Sequence, residues 1–135
     1  MEAEARRHRI TVVDDDEDIL ALMQDIIAGL GHEPTTLVPR GLTITDIART
    51  RPDLLVLDLR LPLGREQLRG AELVRLLRGH RAMKKIPMVI CSADTRGIDS
   101  LRREDGHLPN VSFIAKPFDL DTLESVIRAA LPAAR

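Results

Sequence analysis

Arg51-Pro52-Asp53-Leu54-Leu55-Val56-Leu57-Asp58-Leu59-Arg60-Leu61-Pro62 is the stretch on which the architecture turns. Leu54–Leu57 is an unbroken apolar run, and Pro52 and Pro62 bracket it too closely for a helix. Such a run reads as a strand buried on both faces, as inside a parallel sheet. Asp58 stands where that strand would surface, and open α/β sheets bind ligands outside the carboxyl ends of their strands. An acid in this position often caps the following helix. Here Pro62 keeps Leu61 out of helical geometry, so no helix starts near enough to be capped, and Asp58 is assigned to chemistry.

On the N-terminal side, residues 1–9 form a charged tail, and Ile10–Val13 is a short β-branched strand ending in Asp14-Asp15-Asp16-Glu17-Asp18. Ile19, Leu22, Met23, Ile26, Ile27 and Leu30 share one helical face, with Gly31 as the stop. Asp16, Glu17 and Asp18 suit the N-terminus of that helix, whereas Asp14 and Asp15 belong to the strand tip. A weaker strand is expected around Thr35–Val38, then a short helix within Gly41–Thr50.

Beyond Asp58, a loop over Leu63–Arg69 precedes a helix from Gly70 that turns Leu73, Val74, Leu76 and Leu77 inward. Ile86–Cys91 is a further strand, followed by Ser92-Ala93-Asp94 and a short helix over Ile98–Arg103. Val111–Ala115 is the last strand, ending in Lys116-Pro117-Phe118. Asp119 or Asp121 caps a final helix with Leu120, Leu123, Val126, Ile127 and Leu131 inward. Strand and helix thus alternate five times, the pattern of an α/β protein with a parallel sheet covered on both faces.

The 135 residues suit one domain, with tails at 1–9 and 132–135 and no output domain expected after Arg135. The net charge of −1 gives no electrostatic case for a nucleic-acid partner. No apolar span is long enough to cross a membrane. Cys91 is the single cysteine, so an intrachain disulfide is excluded and a reducing cytoplasm is the expected location.

The predicted strand exits collect Asp14 and Asp15, Asp58, Ser92 and Lys116. Three carboxylates packed together repel, and a hard divalent cation held by oxygen ligands and water, Mg²⁺, relieves that conflict. A carboxylate beside a metal, a Lys and a Ser is equipped to accept a phosphoryl group, because cations and hydroxyl donors neutralise the phosphoryl oxygens. Asp58, central in the sheet and isolated from other acids, is assigned as nucleophile.

The order Asp14-Asp15, Asp58, Ser92, Lys116-Pro117 resembles the receiver domain of two-component response regulators, over roughly Ile10–Leu131. The resemblance implies a doubly wound (βα)5 fold with the flavodoxin-like strand order 2-1-3-4-5. It implies Mg²⁺ held directly by Asp15, largely through water by Asp14, and by Asp58 and the backbone carbonyl of Arg60. It further implies a cis peptide between Lys116 and Pro117. Ser92 and Phe113 would act as the switch pair, repacking the face made by the fourth helix, fifth strand and fifth helix. Arg60 and Asp94 would tune loss of the phosphoryl group, here toward slow hydrolysis. The implied partners are a sensor histidine kinase or phosphotransfer protein and a downstream protein target, with homodimerisation through the switch face. The expected function is that of a stand-alone receiver, a phosphoacceptor rather than an enzyme.

Two rivals meet the same residues less well. A haloacid dehalogenase-like Mg²⁺ phosphatase accounts for Asp14-Asp15-Asp16 but leaves Asp58 unexplained and wants a further acidic pair after the Lys116 strand. A degenerate receiver, an interaction module alone, is disfavoured because every chemical position is filled.

Overall fold

The computed structural model describes residues 7–58, 70–93, 96, 98, 99, 103 and 110–132. Along the chain come β1 (Arg9–Val13), α1 (Glu17–Gly29), β2 (Glu33–Leu37), α2 (Ile44–Arg49) and β3 (Leu54–Asp58). They are followed by α3 (Gly70–Gly79), β4 (Met88–Ser92), β5 (Val111–Ala115) and α4 (Leu120–Ala130). Of the helix expected over Ile98–Arg103, the described residues Ile98, Asp99 and Arg103 are helical, as is Arg96.

The strands pair in parallel in the order β2-β1-β3-β4-β5. This is the doubly wound order expected from the sequence. The central β3 is buried at every position, as its continuous apolar run requires. Alternation along the strands sends Leu55, Leu57, Met88 and Ile90 to one face, where Ile47 of α2 and Val74 and Leu77 of α3 pack. Leu54, Val56, Val89 and Cys91 point to the other face, against Leu20, Met23 and Ile27 of α1 and Leu123 and Ile127 of α4. No helix among the described residues is long and apolar enough to cross a membrane.

Local signals fix where the helices begin. The Asp16 side chain accepts from the Asp18 and Ile19 N–H groups (2.9 and 3.4 Å), and Glu17 and Asp18 lie in the first turn, where the helix dipole favours anions. Thr43 and Asp46 form a reciprocal capping box at the start of α2, with bonds of 3.1 and 3.0 Å. Of the two candidates for the last cap, Asp119 is the one used, accepting from Thr122 N–H at 2.7 Å. Gly31 takes a left-handed φ of 88° just past α1, and His32 N–H closes back onto the Ile27 carbonyl at 3.1 Å.

Three helix faces differ from expectation. Leu22, Leu76 and Leu120 are exposed, while Leu20 is buried in the core of α1. At about 100° per residue, the stripe Leu20, Met23, Ile27 leaves Leu22 on the flank, and Val74 with Leu77 turns Leu76 outward. Three strands are also shifted: β1 begins at Arg9 with His8 buried before it, so the charged tail expected over residues 1–9 does not reach that far. β2 starts at Glu33 and contains Pro34, which an edge strand tolerates. β4 starts at Met88 instead of Ile86, because Ile86 N–H is engaged with the Met83 carbonyl (3.2 Å) in the preceding turn; the strand extends to include Ser92.

Candidate phosphoacceptor site

Register brings the strand ends to one edge of the sheet. Val13 pairs with Leu57, so Asp14 emerges beside Asp58, the last residue of β3; Asp58 pairs with Cys91, and Ser92 with Ala115. Lys116 follows directly, and its backbone N–H donates to the Ser92 carbonyl at 2.9 Å. The Lys116–Pro117 peptide bond is cis.

The Lys116 ammonium links the carboxyl ends of β1 and β3. Its Nζ donates to Asp14 Oδ2 at 2.8 Å and to Asp58 Oδ2 at 3.0 Å. The side chains of Asp14, Asp58 and Lys116 are 4%, 7% and 18% exposed, so these charges meet largely out of water, where screening is weak. Burial is the largest single influence on Lys116 and pushes its pKa down. The hydrogen bonds to Asp14 and Asp58, and the charges of both, outweigh it, and the net shift is upward. Asp14 Oδ1 accepts from Asp16 N–H at 2.9 Å, so the turn into α1 orients the carboxylate.

Ser92 is fully buried at the end of β4. By strand alternation it shares a sheet face with Ile90, which pairs with Phe113. Phe113 is half-buried against that core. Asp15 is exposed at the start of the turn after β1. Asp15, Asp16, Glu17 and Asp18 line an open depression closed on its far side by Val38, Pro39 and Arg40. Arg40 escaped sequence reasoning: it stands alone in the Pro39-Arg40-Gly41 turn, and only the fold sets it across from the acidic turn. Arg60, Asp94 and the Leu63–Arg69 loop lie outside the described residues.

The donor chemistry suits a hard cation. Two buried carboxylates, Asp14 and Asp58, meet at one edge, and Asp15 lies exposed at the rim, an oxygen-rich donor set of the kind Mg²⁺ takes. Among the described residues, however, no group of three or more His, Cys, Asp or Glu side chains stands in a metal-holding arrangement. Asp14 and Asp58 converge instead on Lys116.

Comparison with known proteins agrees with this geometry. Residues 10–128 match the response regulator receiver domain. The DNA-binding response regulator MtrA of Mycolicibacterium smegmatis is 30% identical over 93% of this chain and 51% of its own length. The sporulation initiation phosphotransferase F of Bacillus subtilis is 27% identical, with 92% of this chain and 94% of that protein covered. The receiver domain of the Pseudomonas aeruginosa sensor histidine kinase PA1611, described with magnesium coordinated in its active-site cleft, superposes with a TM-score of 0.68. It is 20% identical and covers 92% of this chain and 97% of that domain. The chain spans about half the length of the first curated relatives it matches. With the family pattern running through nearly the whole sheet and its strand order, the chain belongs to the response regulator receiver domain family.

Proposed function

We propose that the chain takes a phosphoryl group from the phosphohistidine of a sensor kinase or phosphotransfer protein onto Asp58, with Mg²⁺ bound. The observation that carries this reading is the convergence of Asp14 and Asp58 on Lys116 at the carboxyl edge of the sheet. Proteins of this family are signalling domains of two-component systems, and phosphorylation on Asp with Mg²⁺ is typical of them. Asp14, Asp15, Asp58 and the Arg60 carbonyl would hold the ion, which supplies positive charge against the phosphoryl oxygens.

In the transfer, a carboxylate oxygen of Asp58 forms the new O–P bond as the P–N bond of the donor breaks and the imidazole departs. Lys116, already within hydrogen-bond distance of Asp58, holds its proton and meets the charge brought by the phosphoryl oxygens. Ser92 donates a hydrogen bond to one of those oxygens, and its movement opens space for Phe113 to rotate. The readout is the face made by the helical residues at Ile98 and Asp99, β5 and α4, which binds a protein target or pairs with a second copy, unless Asp58 passes its phosphoryl group on. Arg60 and Asp94, carried over from the family pattern, would tune loss of the phosphoryl group toward slow hydrolysis. A cytoplasmic location fits this role.

Incubation with acetyl phosphate tests the reading by intact mass. One phosphoryl group is added in the presence of Mg²⁺ and lost on Asp58→Asn. Continuous release of phosphate instead indicates a phosphatase, and no adduct at all indicates an interaction module.

A further inference from the structure

At the opposite edge of the sheet, three side chains outside the phosphoacceptor site meet where strands begin. His8, His32 and Asp53 each stand one residue before a strand, β1, β2 and β3 respectively. The backbone N–H of His8 donates to Nδ1 of His32 at 3.1 Å. An Nδ1 that accepts carries no proton, so His32 is held as the neutral tautomer with its hydrogen on Nε2. The His8 ring is buried, lies 5.4 Å from the His32 ring between centroids, and brings its Nδ1 to 3.7 Å from Asp53 Oδ2.

The same three strand starts are tied by backbone bonds. Glu33 N–H donates to the His8 carbonyl at 2.9 Å, and Asp53 N–H to the Arg9 carbonyl at 2.7 Å. Arg9 N–H donates to Asp53 Oδ2 at 2.8 Å, and Arg9 Nε to the Arg51 carbonyl at 2.9 Å. Arg51 takes a left-handed φ of 51° in this turn.

We infer that this cluster is an acid-released latch: a proton added at Nδ1 of His32 removes the acceptor of the His8 N–H and releases that amide, while the His8 carbonyl stays bonded to Glu33 N–H. The event is local and balanced. One proton comes from solvent, one hydrogen bond is lost, and the His8 N–H is left without its partner in a buried position, which favours opening. The groups facing His32 are His8 from the segment before β1 and Asp53 from the approach to β3, with Glu33 adjacent on β2 and Arg9 and Arg51 behind Asp53. Burial first, and His8 second, lower the pKa of His32, while the Asp53 charge opposes them. A lowered value means that the neutral ring belongs to the folded state. The latch is therefore fully closed above the ordinary value of 6.5 and opens as pH falls through the lower, folded value. The inference does not rest on the phosphoacceptor assignment.

Amide exchange and ring titration by NMR on the full chain, from about pH 7.5 to about pH 5, test it. The His32 ring is expected to titrate below 6.5, and the protection factor of the His8 amide to fall about tenfold with the same midpoint. His32→Asn keeps an acceptor that cannot be protonated and should hold the His8 amide protected throughout. Asp53→Asn still accepts from Arg9 N–H but removes the opposing charge, so the His32 midpoint should move lower. A His8 amide that ignores the His32 titration, an identical response in His32→Asn, or a midpoint unmoved by Asp53→Asn would each overturn the latch.

Discussion

Lys116 Nζ is shared between two carboxylates, at 2.8 Å from Asp14 and 3.0 Å from Asp58, and all three groups are largely desolvated. Removing one member of such a set costs more than the set contributes, because the remaining charges stay buried without compensation. Lys116→Met is expected to lower unfolding stability by about 3 kcal/mol, read as the urea midpoint. Adding Asp58→Asn should recover a large part of that loss, since one of the two facing carboxylates disappears. An unchanged midpoint in the single variant would mean that water already screens the pair. Cys91, paired with Asp58 in the sheet, behaves differently. Burial is the main influence and pushes its thiol up to about 12, the Lys116 charge opposing and the carboxylates assisting. A raised value favours the protonated thiol in the folded state, so this contribution is intact below about 9 and is lost as pH rises toward about 12. Lys116, also raised, loses its contribution in the same direction above 10.5. At neutral pH a thiol reagent should therefore leave Cys91 of the folded chain untouched and label it promptly in denaturant; equal rates would place the thiol in solvent.

Among the secondary elements, the helix phases provide the sharpest check on how the sequence encodes the fold. Ile27 is wholly buried between α1 and the sheet, whereas Leu22, on the same helix, is 38% exposed. Truncation to Ala should cost about 3 kcal/mol at Ile27 and about 0.5 kcal/mol or less at Leu22, measured by denaturant unfolding. Comparable losses would mean that α1 is rotated on the sheet. The strands were legible because Ile10–Val13, Leu54–Leu57 and Val111–Ala115 are too short and too β-branched or apolar to be anything else beside their turn residues. Helix faces were less so. Leu20 and Leu22 are chemically the same, and only the position of the sheet decides which one turns inward. The start of β4 was misplaced for a related reason, since Ile86 looks like a strand residue but spends its N–H on a turn closed by Met83. The capping box of Thr43 and Asp46 was present in the sequence as Thr-x-x-Asp, and its acidic partner is one atom shorter than the usual Glu.

The molecule as a whole places its candidate phosphoacceptor residues at one edge of a parallel sheet and its histidine cluster at the other. Register accounts for the first: parallel strands of equal length deliver Asp14, Asp58, Ser92 and Lys116 to within two residues of the same level. That much could be anticipated from residues at strand exits. The direct capture of both buried carboxylates by Lys116 could not, because it depends on how far a flexible side chain reaches across two strands. Nor could the Arg40 turn facing the acidic depression, whose neighbours lie on a separate strand exit. The central claim is that this edge exists to carry a phosphoryl group on Asp58 and on no other acid. Reduction of the acetyl-phosphate-treated protein with borohydride converts an aspartyl phosphate to homoserine, and peptide sequencing by mass spectrometry then locates it. Homoserine at position 58, absent when Mg²⁺ is withheld, is the predicted result; homoserine at Asp14 or Asp15, or at no position, would contradict the account.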